Sequence, residues 1–327
     1  MKIRLFYLFA SILFLSSCNS KMGDYTTSST GKSGEILIVS NPDVWFGTLK
    51  DTVTNFFSEP QYGLPQAEPQ FTLFAIPFEK FNKVLRPHRN ILMLEMDPSM
   101  EKAVIKVSYD RWATPQVIIQ IKSPKREEMI VEFLKNKNQI IEYYHTSERR
   151  RYQRAFDKII NIPLVNQIKA KYKFSLTVPE GYFMAVEKDD FFWLRRETPD
   201  MTHAVLFYTE DYTDTLQFSN RKIIDVRNKF TKMYIPGPTE GSYQIVSEDV
   251  YQPLSRVIQF QNNYTIETRG LWKLENDFMG GPFVKLTFVD TKNNKLIHLD
   301  GFVYAPRDTK RDQLRQVEAI IHSYKPE

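Results

Sequence analysis

The first half of the chain alternates between strand-like and helix-like spacing of its apolar residues. A buried strand is predicted at Glu35–Val39, because this apolar run is bounded by Gly34 and by Asn41-Pro42. Helical spacing follows at positions 44–57. Four further strands are then predicted at 71–76, 91–96, 103–109 and 116–121. Ser123-Pro124 has the composition of a helix start, and helical spacing continues from there until Pro163.

The second half is richer in strands. The pattern predicts strands at 174–178, 182–186, 191–196, 203–208, 264–274, 283–289 and 295–304. Two helices are predicted at 221–234 and 307–323. We therefore predict an α+β protein of two mixed bodies, residues 34–171 and 172–327, with mainly antiparallel sheets packed by helices.

The N-terminal segment is built like a secretory signal. Lys2 and Arg4 precede an apolar stretch of eleven residues, which as a helix spans roughly 16 Å, about half a bilayer core. The next residues, Leu15-Ser16-Ser17-Cys18, resemble the lipobox of bacterial lipoproteins. The resemblance implies cleavage of a signal peptide over 1–17 and acylation of Cys18, and several acyl chains anchor a protein stably.

Residues 18–33 are nearly all small or polar, which predicts a flexible tether. Asn19, rather than an acidic residue, follows Cys18. By analogy with sorting signals of Gram-negative lipoproteins, this favours the periplasmic face of the outer membrane. The membrane, contacted through the lipid on Cys18, is thus the first expected partner.

Composition narrows the classes of function. The chain has 42% hydrophobic residues, as expected of a globular protein, and Cys18 is its single cysteine. Loss of Lys2 and Arg4 with the signal lowers the formal net charge from +5 to +3. This small charge and the predicted compartment argue against a nucleic-acid partner. The stretch 122–173 carries thirteen cations against six acidic residues. This charge could face anionic lipid head groups or an acidic partner, but we favour a solvated helix face.

No motif identifies a catalytic centre or a cofactor. The sequence lacks GxxxxGK[ST], GxGxxG, HExxH and GxSxG, and its five histidines are far apart. His298 and Asp300 share a strand face, and we interpret them as solvent-facing rather than as metal ligands. No metal or cofactor is therefore predicted.

Four clusters are denser in functional side chains than their surroundings. The candidate ligand-binding residues in them are Glu68, His88, Arg89, Arg111, Trp112, Glu267, Arg269 and Trp272. Guanidinium groups suit carboxylate or phosphate ligands. Along the predicted strand at 264–274, alternation places Trp272 on one face and both Glu267 and Arg269 on the other.

The same segments resemble an uncharacterised family of bacterial lipoproteins, domain of unknown function 4837. The likeness is carried by residues 34–39, Trp45 and a set of motifs spread along the mature chain: 64–69, 89–90, 112–116, 267–272, 280–283 and 304–306. It implies a cell-envelope lipoprotein and lends no catalytic residues. Asp51-Thr52-Val53 and Asp214-Thr215-Leu216 also resemble a three-residue O-glycosylation signal of gut-associated Gram-negative bacteria.

These observations favour a non-enzymatic, lipid-anchored protein of the outer membrane that binds an envelope protein or glycan. A different hypothesis is a hydrolase of envelope polymer or glycan with carboxylates drawn from Glu68, Asp110 or Glu267, which requires that they meet in one cleft. A third is a purely structural assembly factor, which predicts an exposed apolar patch.

Overall fold

The computed structural model describes residues 27–327, so the predicted signal peptide and Cys18 lie outside the described residues. The N-terminal sheet has the order β2-β1-β3-β5-β4, in which β4 is antiparallel to β5 and the other pairings are parallel. Its strands are β1 (Glu35–Val39), β2 (Thr72–Ile76), β3 (Asn90–Met96), β4 (Val104–Tyr109) and β5 (Val117–Ser123).

Two helices cover one face of the N-terminal sheet, α1 (Gly47–Ser58) and α2 (Arg126–Asp157). They bury an aromatic core in which Phe57 touches the rings of Phe71 and Tyr144. The opposite face is covered by the irregular segment 77–87, whose partly buried aromatic and aliphatic side chains pack on the strands. A short connection leads from α2 to α3 (Ile162–Tyr172).

The C-terminal sheet has eight antiparallel strands in the order β10-β12-β13-β14-β9-β8-β7, and β11 also pairs with β12. The strands are β7 (Phe183–Glu187), β8 (Phe191–Thr198), β9 (Met201–Asp211), β10 (Tyr243–Ser247), β11 (Leu254–Phe260), β12 (Asn263–Glu275), β13 (Gly280–Asp290) and β14 (Lys295–Tyr304). Two short strands, β6 (Phe174–Ser175) and β15 (Lys325–Pro326), pair separately. The predicted α+β class is confirmed, with one mixed and one antiparallel main sheet.

Helices lie on both faces of the C-terminal sheet. On one face, α3 and the amphipathic helix α5 (Arg311–Ile321) enclose an apolar core. On the other face lies α4 (Asn220–Tyr234). In the part of the chain that the structure describes, no helix is long and apolar enough to cross a bilayer.

The face beneath α4 contains a buried polar cluster. His298 and Asp300, interpreted above as solvent-facing, are both 0% exposed, so that interpretation is wrong. Asp300 Oδ2 accepts a hydrogen bond from Arg227 Nε of α4 at 2.7 Å. Lys285 Nζ donates to the carbonyl oxygen of Ile223 at 3.1 Å. The error arose because alternation gives the face of a strand but not what covers that face.

Three other local predictions need correction. Ser123 does not cap α2, since its hydroxyl donates to the carbonyl of Lys125 and the helix begins at Arg126. Pro163 lies in the first turn of α3, which Asn161 caps, so it starts a helix there. Residues 27–33, predicted as part of the tether, are hydrogen-bonded to the N-terminal sheet and its loops.

Candidate functional site

Glu267 and Arg269 lie on the face of β12 that packs toward α2 and α5. Glu267 Oε1 accepts hydrogen bonds from Arg256 Nε at 2.7 Å and from Arg269 Nε at 2.9 Å. Arg269 Nη2 also lies 3.0 Å from Glu318 Oε1 on α5. Positions 267 and 269 reach the same place because alternate side chains of a strand share a face.

Arg149 of α2 completes this charged cluster. Its Nη1 lies 3.1 Å from the same Glu318 oxygen that Arg269 contacts, and its Nη2 binds Glu142. The three arginines are therefore matched by three carboxylates that come from α2, β12 and α5. This network joins the N-terminal and C-terminal sheets through buried ion pairs.

The surroundings keep both central carboxyl groups ionised. Burial opposes ionisation of Glu267, but the guanidinium groups of Arg269 and Arg256 outweigh it and hold its pKa well below the usual range. For Glu318, burial is likewise outweighed by Arg269 and Arg149, which lower its pKa to about 2. Burial lowers the pKa of His322 to about 3, so this imidazole is neutral at pH 7. The cluster thus offers no protonated carboxyl group to act as a general acid.

A cation does not fit this cluster. Among the described residues, Glu267, Glu318 and His322 are close enough to offer three ligand atoms within 4.8 Å of one another. However, guanidinium groups already occupy the carboxylate oxygens, and a divalent ion would lie beside two buried arginines. Charge repulsion in a poorly solvated site would expel it.

The charged cluster borders a cleft of about 140 Å³. The remaining wall residues are mostly polar and are Gln61, Tyr62, Gln70, His145 and Leu254. Ligand pockets commonly enclose about 300–1,000 Å³. The volume of this cleft is below that range. We therefore interpret the charged cluster as a set of ion pairs that stabilises the contact between the two halves of the chain.

A larger cleft of about 500 Å³ opens beside the C-terminal end of α4. Its walls come from the ends of β8, β9, β12 and β14 and from the segment Pro236-Gly237-Pro238. We call this space the aromatic cleft because four of its lining residues are aromatic: Trp193, Trp272, Phe302 and Tyr304. Of the eight predicted ligand-binding residues, Trp272 alone lines it.

Trp272 is fixed in place by its neighbours in this sheet. Its ring packs edge-on against Phe302 with 5.1 Å between centroids, and its Nε1 donates to the carbonyl oxygen of Val303 at 3.2 Å. Gly281 lies opposite Trp272 in β13, and a Cβ atom at this glycine would overlap the Val303 oxygen. The Gly280-Gly281 pair therefore allows the close approach on which the ring position depends.

The aromatic cleft also has polar groups suited to orienting a ligand. Arg195 stacks over the ring of Trp193 and pairs with Glu197 at the rim. Two buried donors on its walls, Trp193 Nε1 and Gln244 Nε2, have no acceptor within residues 27–327. An apolar wall with a few polar groups is the usual composition of a ligand pocket.

Glu68 has a structural position at the start of α5. Its two carboxylate oxygens accept from the backbone N–H groups of Lys310 at 2.7 Å and Arg311 at 3.1 Å. The first N–H groups of a helix lack partners within the helix, and a carboxylate there also complements the helix dipole. Glu68 thus caps a helix that lies more than two hundred residues further along the chain.

His88 and Arg89 belong to a second buried network, at the N-terminal end of β3. His88 Nδ1 contacts the carbonyl oxygen of Asn90 at 2.9 Å, and its Nε2 lies 3.3 Å from Glu35 Oε1. Arg89 Nη1 donates to Glu148 of α2 at 3.0 Å, and Arg151 Nη1 donates to the same carboxylate at 2.7 Å. Because Arg89 next to β3 and Arg151 of α2 bind the same carboxylate, the network fixes α2 on the sheet.

Arg111 and Trp112 lie apart from both clefts, in the β4–β5 turn. The guanidinium carbon of Arg111 is 4.8 Å from the centroid of the Trp112 ring. The Trp112 ring also packs edge-on against Phe81 of the segment 77–87, with 5.4 Å between centroids. Arg111 is exposed, and Trp112 is half-buried.

The three carboxylates of the hydrolase hypothesis do not meet. Glu267 is in the charged cluster, and Glu68 is bound by the start of α5. Asp110 accepts a hydrogen bond from the backbone N–H of Gln116, beside a different cleft. Of the two threonines in glycosylation-like triplets, Thr215 is exposed and Thr52 is half-buried in α1.

The sequence interpretation missed most of the aromatic cleft. The predicted strand at 191–196 contains Trp193, and the predicted helix at 221–234 ends just before Pro236-Gly237-Pro238, but neither segment is predicted to bind a ligand. One signal in the sequence could have indicated the cleft: Phe302 and Tyr304 alternate along a predicted strand. In the sheet they lie on the same face as Trp272, with β13 between the two strands. Their convergence depends on strand pairing between distant segments, which local patterns do not encode.

Comparisons with known proteins identify families but no activity. Residues 162–323 match the family "Domain of unknown function (DUF4837)", and residues 29–157 match "Domain of unknown function (DUF8532)". No curated protein matches the chain. Among solved structures, a mutant of the protein Mog1 is similar over 47% of this chain and 90% of its own, with 7% identity and a TM-score of 0.29.

Proposed function

We propose that this chain, whose residues 162–323 match the family of domain of unknown function 4837, is a lipid-anchored binding protein of the bacterial cell envelope whose ligand lies in the aromatic cleft. The anchor is inferred from Lys2, Arg4, the apolar stretch after them and the tetrad ending in Cys18. Absence of an acidic residue after Cys18 supports the periplasmic face of the outer membrane.

The observation that carries the binding proposal is the aromatic cleft itself. Its volume of about 500 Å³ falls within the usual range for ligand sites. Trp193 and Trp272 are 7% and 3% exposed, so packing fixes their rings, and the half-buried Tyr304 beside them offers an accessible aromatic surface. Fixed surfaces lose little conformational entropy when a ligand binds.

The chemistry of the walls favours an amphipathic ligand such as a glycan. Flat aromatic faces bind the apolar face of a sugar ring, while hydroxyl groups at its edge meet the charged rim of Arg195, Glu197 and Asp200. We therefore propose an envelope glycan as the ligand.

The proposal is tested by titrating the purified full chain with oligosaccharide fragments of envelope glycans and following tryptophan fluorescence. Tyr304→Ala removes a half-buried wall of the cleft and should weaken binding at least tenfold. Tyr109→Ala, an exposed tyrosine outside the cleft, is the matched control and should bind like the original chain. Equal binding by both variants, with unchanged melting temperatures, would reject the aromatic cleft as the site.

A further inference from the structure

We propose that a surface formed by the segment 77–87 and the β4–β5 turn rests on the phosphate head groups of the membrane that holds the anchor. We call it the basic loop face. It consists of the exposed residues Lys80, Lys83, Val84, Arg86 and Arg111 and the half-buried Trp112. This inference rests on the lipid anchor at Cys18 in the proposed function.

The position at which the chain reaches the folded body supports this orientation. Thr27, the first described residue, donates its hydroxyl to the carbonyl oxygen of Trp112 at 3.2 Å. The backbone N–H of Thr114 donates to the carbonyl of Thr27 at 2.9 Å, and that of Thr30 donates to Pro87 at 2.9 Å. The chain therefore enters the fold between the two loops of the basic loop face.

The length of chain before Thr27 limits how far this entry point can be from the bilayer. Thr27 is nine positions after Cys18. Nine extended residues span at most about 30 Å, which is less than the length of the helix α2, about 48 Å at 1.5 Å per residue. The lipid anchor thus holds the Thr27 side of the body next to the membrane.

The charges on the basic loop face complement an anionic surface. The segment 77–87 has three cations and a single acidic residue, Glu79. In the described part of the chain, Lys80, Lys83, Arg86 and Arg111 form no ion pair with a carboxylate. Unpaired cations next to a membrane are attracted by its anionic head groups.

The apolar residues of these loops divide between two roles. Phe78, Phe81 and Leu85 pack inward on the N-terminal sheet, which fixes the segment in place. Val84 is 70% exposed and Trp112 lies at the edge, flanked by the guanidinium groups of Arg86 and Arg111 at 5.9 and 4.8 Å. An aromatic ring beside cations is typical of side chains at the membrane–water interface.

The basic stretch of α2 is a weaker candidate for the same role. Arg149 and Arg151, in the centre of its densest run, are buried in ion pairs with Glu318 and Glu148. Their charges are neutralised inside the protein. The basic loop face, whose cations are exposed, therefore fits a membrane-facing role better than α2 does.

The inference is tested on the full-length lipoprotein reconstituted in vesicles that contain phosphatidylglycerol and a lipid with a spin label on its head group. Cys18 is the single cysteine and is consumed by lipid, so Lys83→Cys introduces the one thiol available for a fluorophore. Lys292→Cys, in the exposed β13–β14 turn of the other sheet, is the matched control. We expect at least threefold stronger quenching at position 83 than at position 292.

The double substitution Lys80→Glu with Arg86→Glu should at least halve the quenching at position 83. Equal quenching at both positions, or no effect of the charge reversals, would overturn the inference. Flotation of the vesicles in high salt distinguishes this failure from failure of the anchor. A chain that floats but is not quenched at position 83 refutes the orientation alone, whereas a chain that does not float refutes the anchor and the orientation together.

Discussion

Arg269 of β12 and Glu318 of α5 form a buried ion pair, with 3.0 Å between Nη2 and Oε1. Their side chains are 14% and 5% exposed. Arg149 of α2 contacts the same glutamate oxygen, so the pair lies where the N-terminal and C-terminal halves of the chain meet. This geometry assigns Arg269 a structural role.

Arg269→Ala should therefore lower the free energy of unfolding of the protein. Removal of the guanidinium takes from each of the buried carboxylates Glu267 and Glu318 one of its two arginine partners, and breaking a buried pair costs about 3–5 kcal/mol. Urea denaturation measures the change in the free energy of unfolding. Arg221→Ala, which removes an exposed pair with Asp225 on α4, is the control and should cost no more than about 0.5 kcal/mol. Equal effects of the two substitutions would contradict the structural role.

The stability of the protein should fall as the solution is acidified. Burial lowers the pKa of His203 to about 4 and that of His322 to about 3, below their ordinary value near 6.5. The unfolded chain therefore binds more protons than the folded chain below pH 6.5, and stability decreases with falling pH from there. The lowered pKa values of Glu267 and Glu318 cause a second loss of stability, as the pH falls from 4.5 to about 2.

Unfolding free energies measured between pH 8 and pH 3 test this dependence. His203→Gln should flatten the upper part of the curve, because a glutamine side chain does not titrate and still offers a hydrogen bond to Gln313. A stability curve that is level from pH 6.5 to pH 4 in the unsubstituted chain would show that the histidines are not held neutral.

Glu68→Ala should destabilise the fold through the start of α5. The substitution removes acceptors for the N–H groups of Lys310 and Arg311, and loss of a helix cap costs about 0.5–2 kcal/mol. Thermal denaturation measures the effect, with Glu79→Ala at an exposed site as the control. If both variants have the same melting temperature, the carboxylate of Glu68 does not stabilise the helix.

Lys285→Met should stabilise the protein at pH 7. Burial lowers the pKa of Lys285 to about 7 from its ordinary value of 10.5, so below pH 10.5 the unfolded chain binds the proton more tightly. Removing this charged group removes that penalty, and replacement of whole buried ion pairs by apolar groups of similar volume stabilises proteins by about 1–4 kcal/mol. Chemical denaturation should show a much larger gain at pH 7 than at pH 10, because pH 10 is close to the ordinary lysine pKa of 10.5. A loss of stability at both values would contradict the account of this cluster.

The sequence predicted the fold class and most central strands, because their apolar runs or alternation record burial directly. It missed β10 and β11, whose burial is irregular: Leu254 and Val257 of β11 are both exposed. The parallel order of β1, β2 and β3 was not predicted either. Strand order depends on contacts between distant segments, and local spacing does not report them.

Local spacing also predicted part of the arrangement of the candidate residues. Alternation along β12 indicated that Glu267 and Arg269 share a face, and the structure places both beside Glu318. Nothing in their spacing pointed to Glu318, which is 49 residues after Arg269. The aromatic cleft likewise joins Trp193, Pro236 and Tyr304, which lie far apart in the sequence.

The central claim, that the aromatic cleft holds an envelope glycan, is tested most directly by photo-crosslinking in native envelopes. A photoreactive residue replaces Met279 in the cleft wall, and a matched one replaces Val131, an exposed residue of α2. We predict a carbohydrate-containing adduct at position 279 that is absent at position 131 and is lost when Cys18→Ala removes the anchor. The same adducts at both positions, or none at position 279, would contradict the claim.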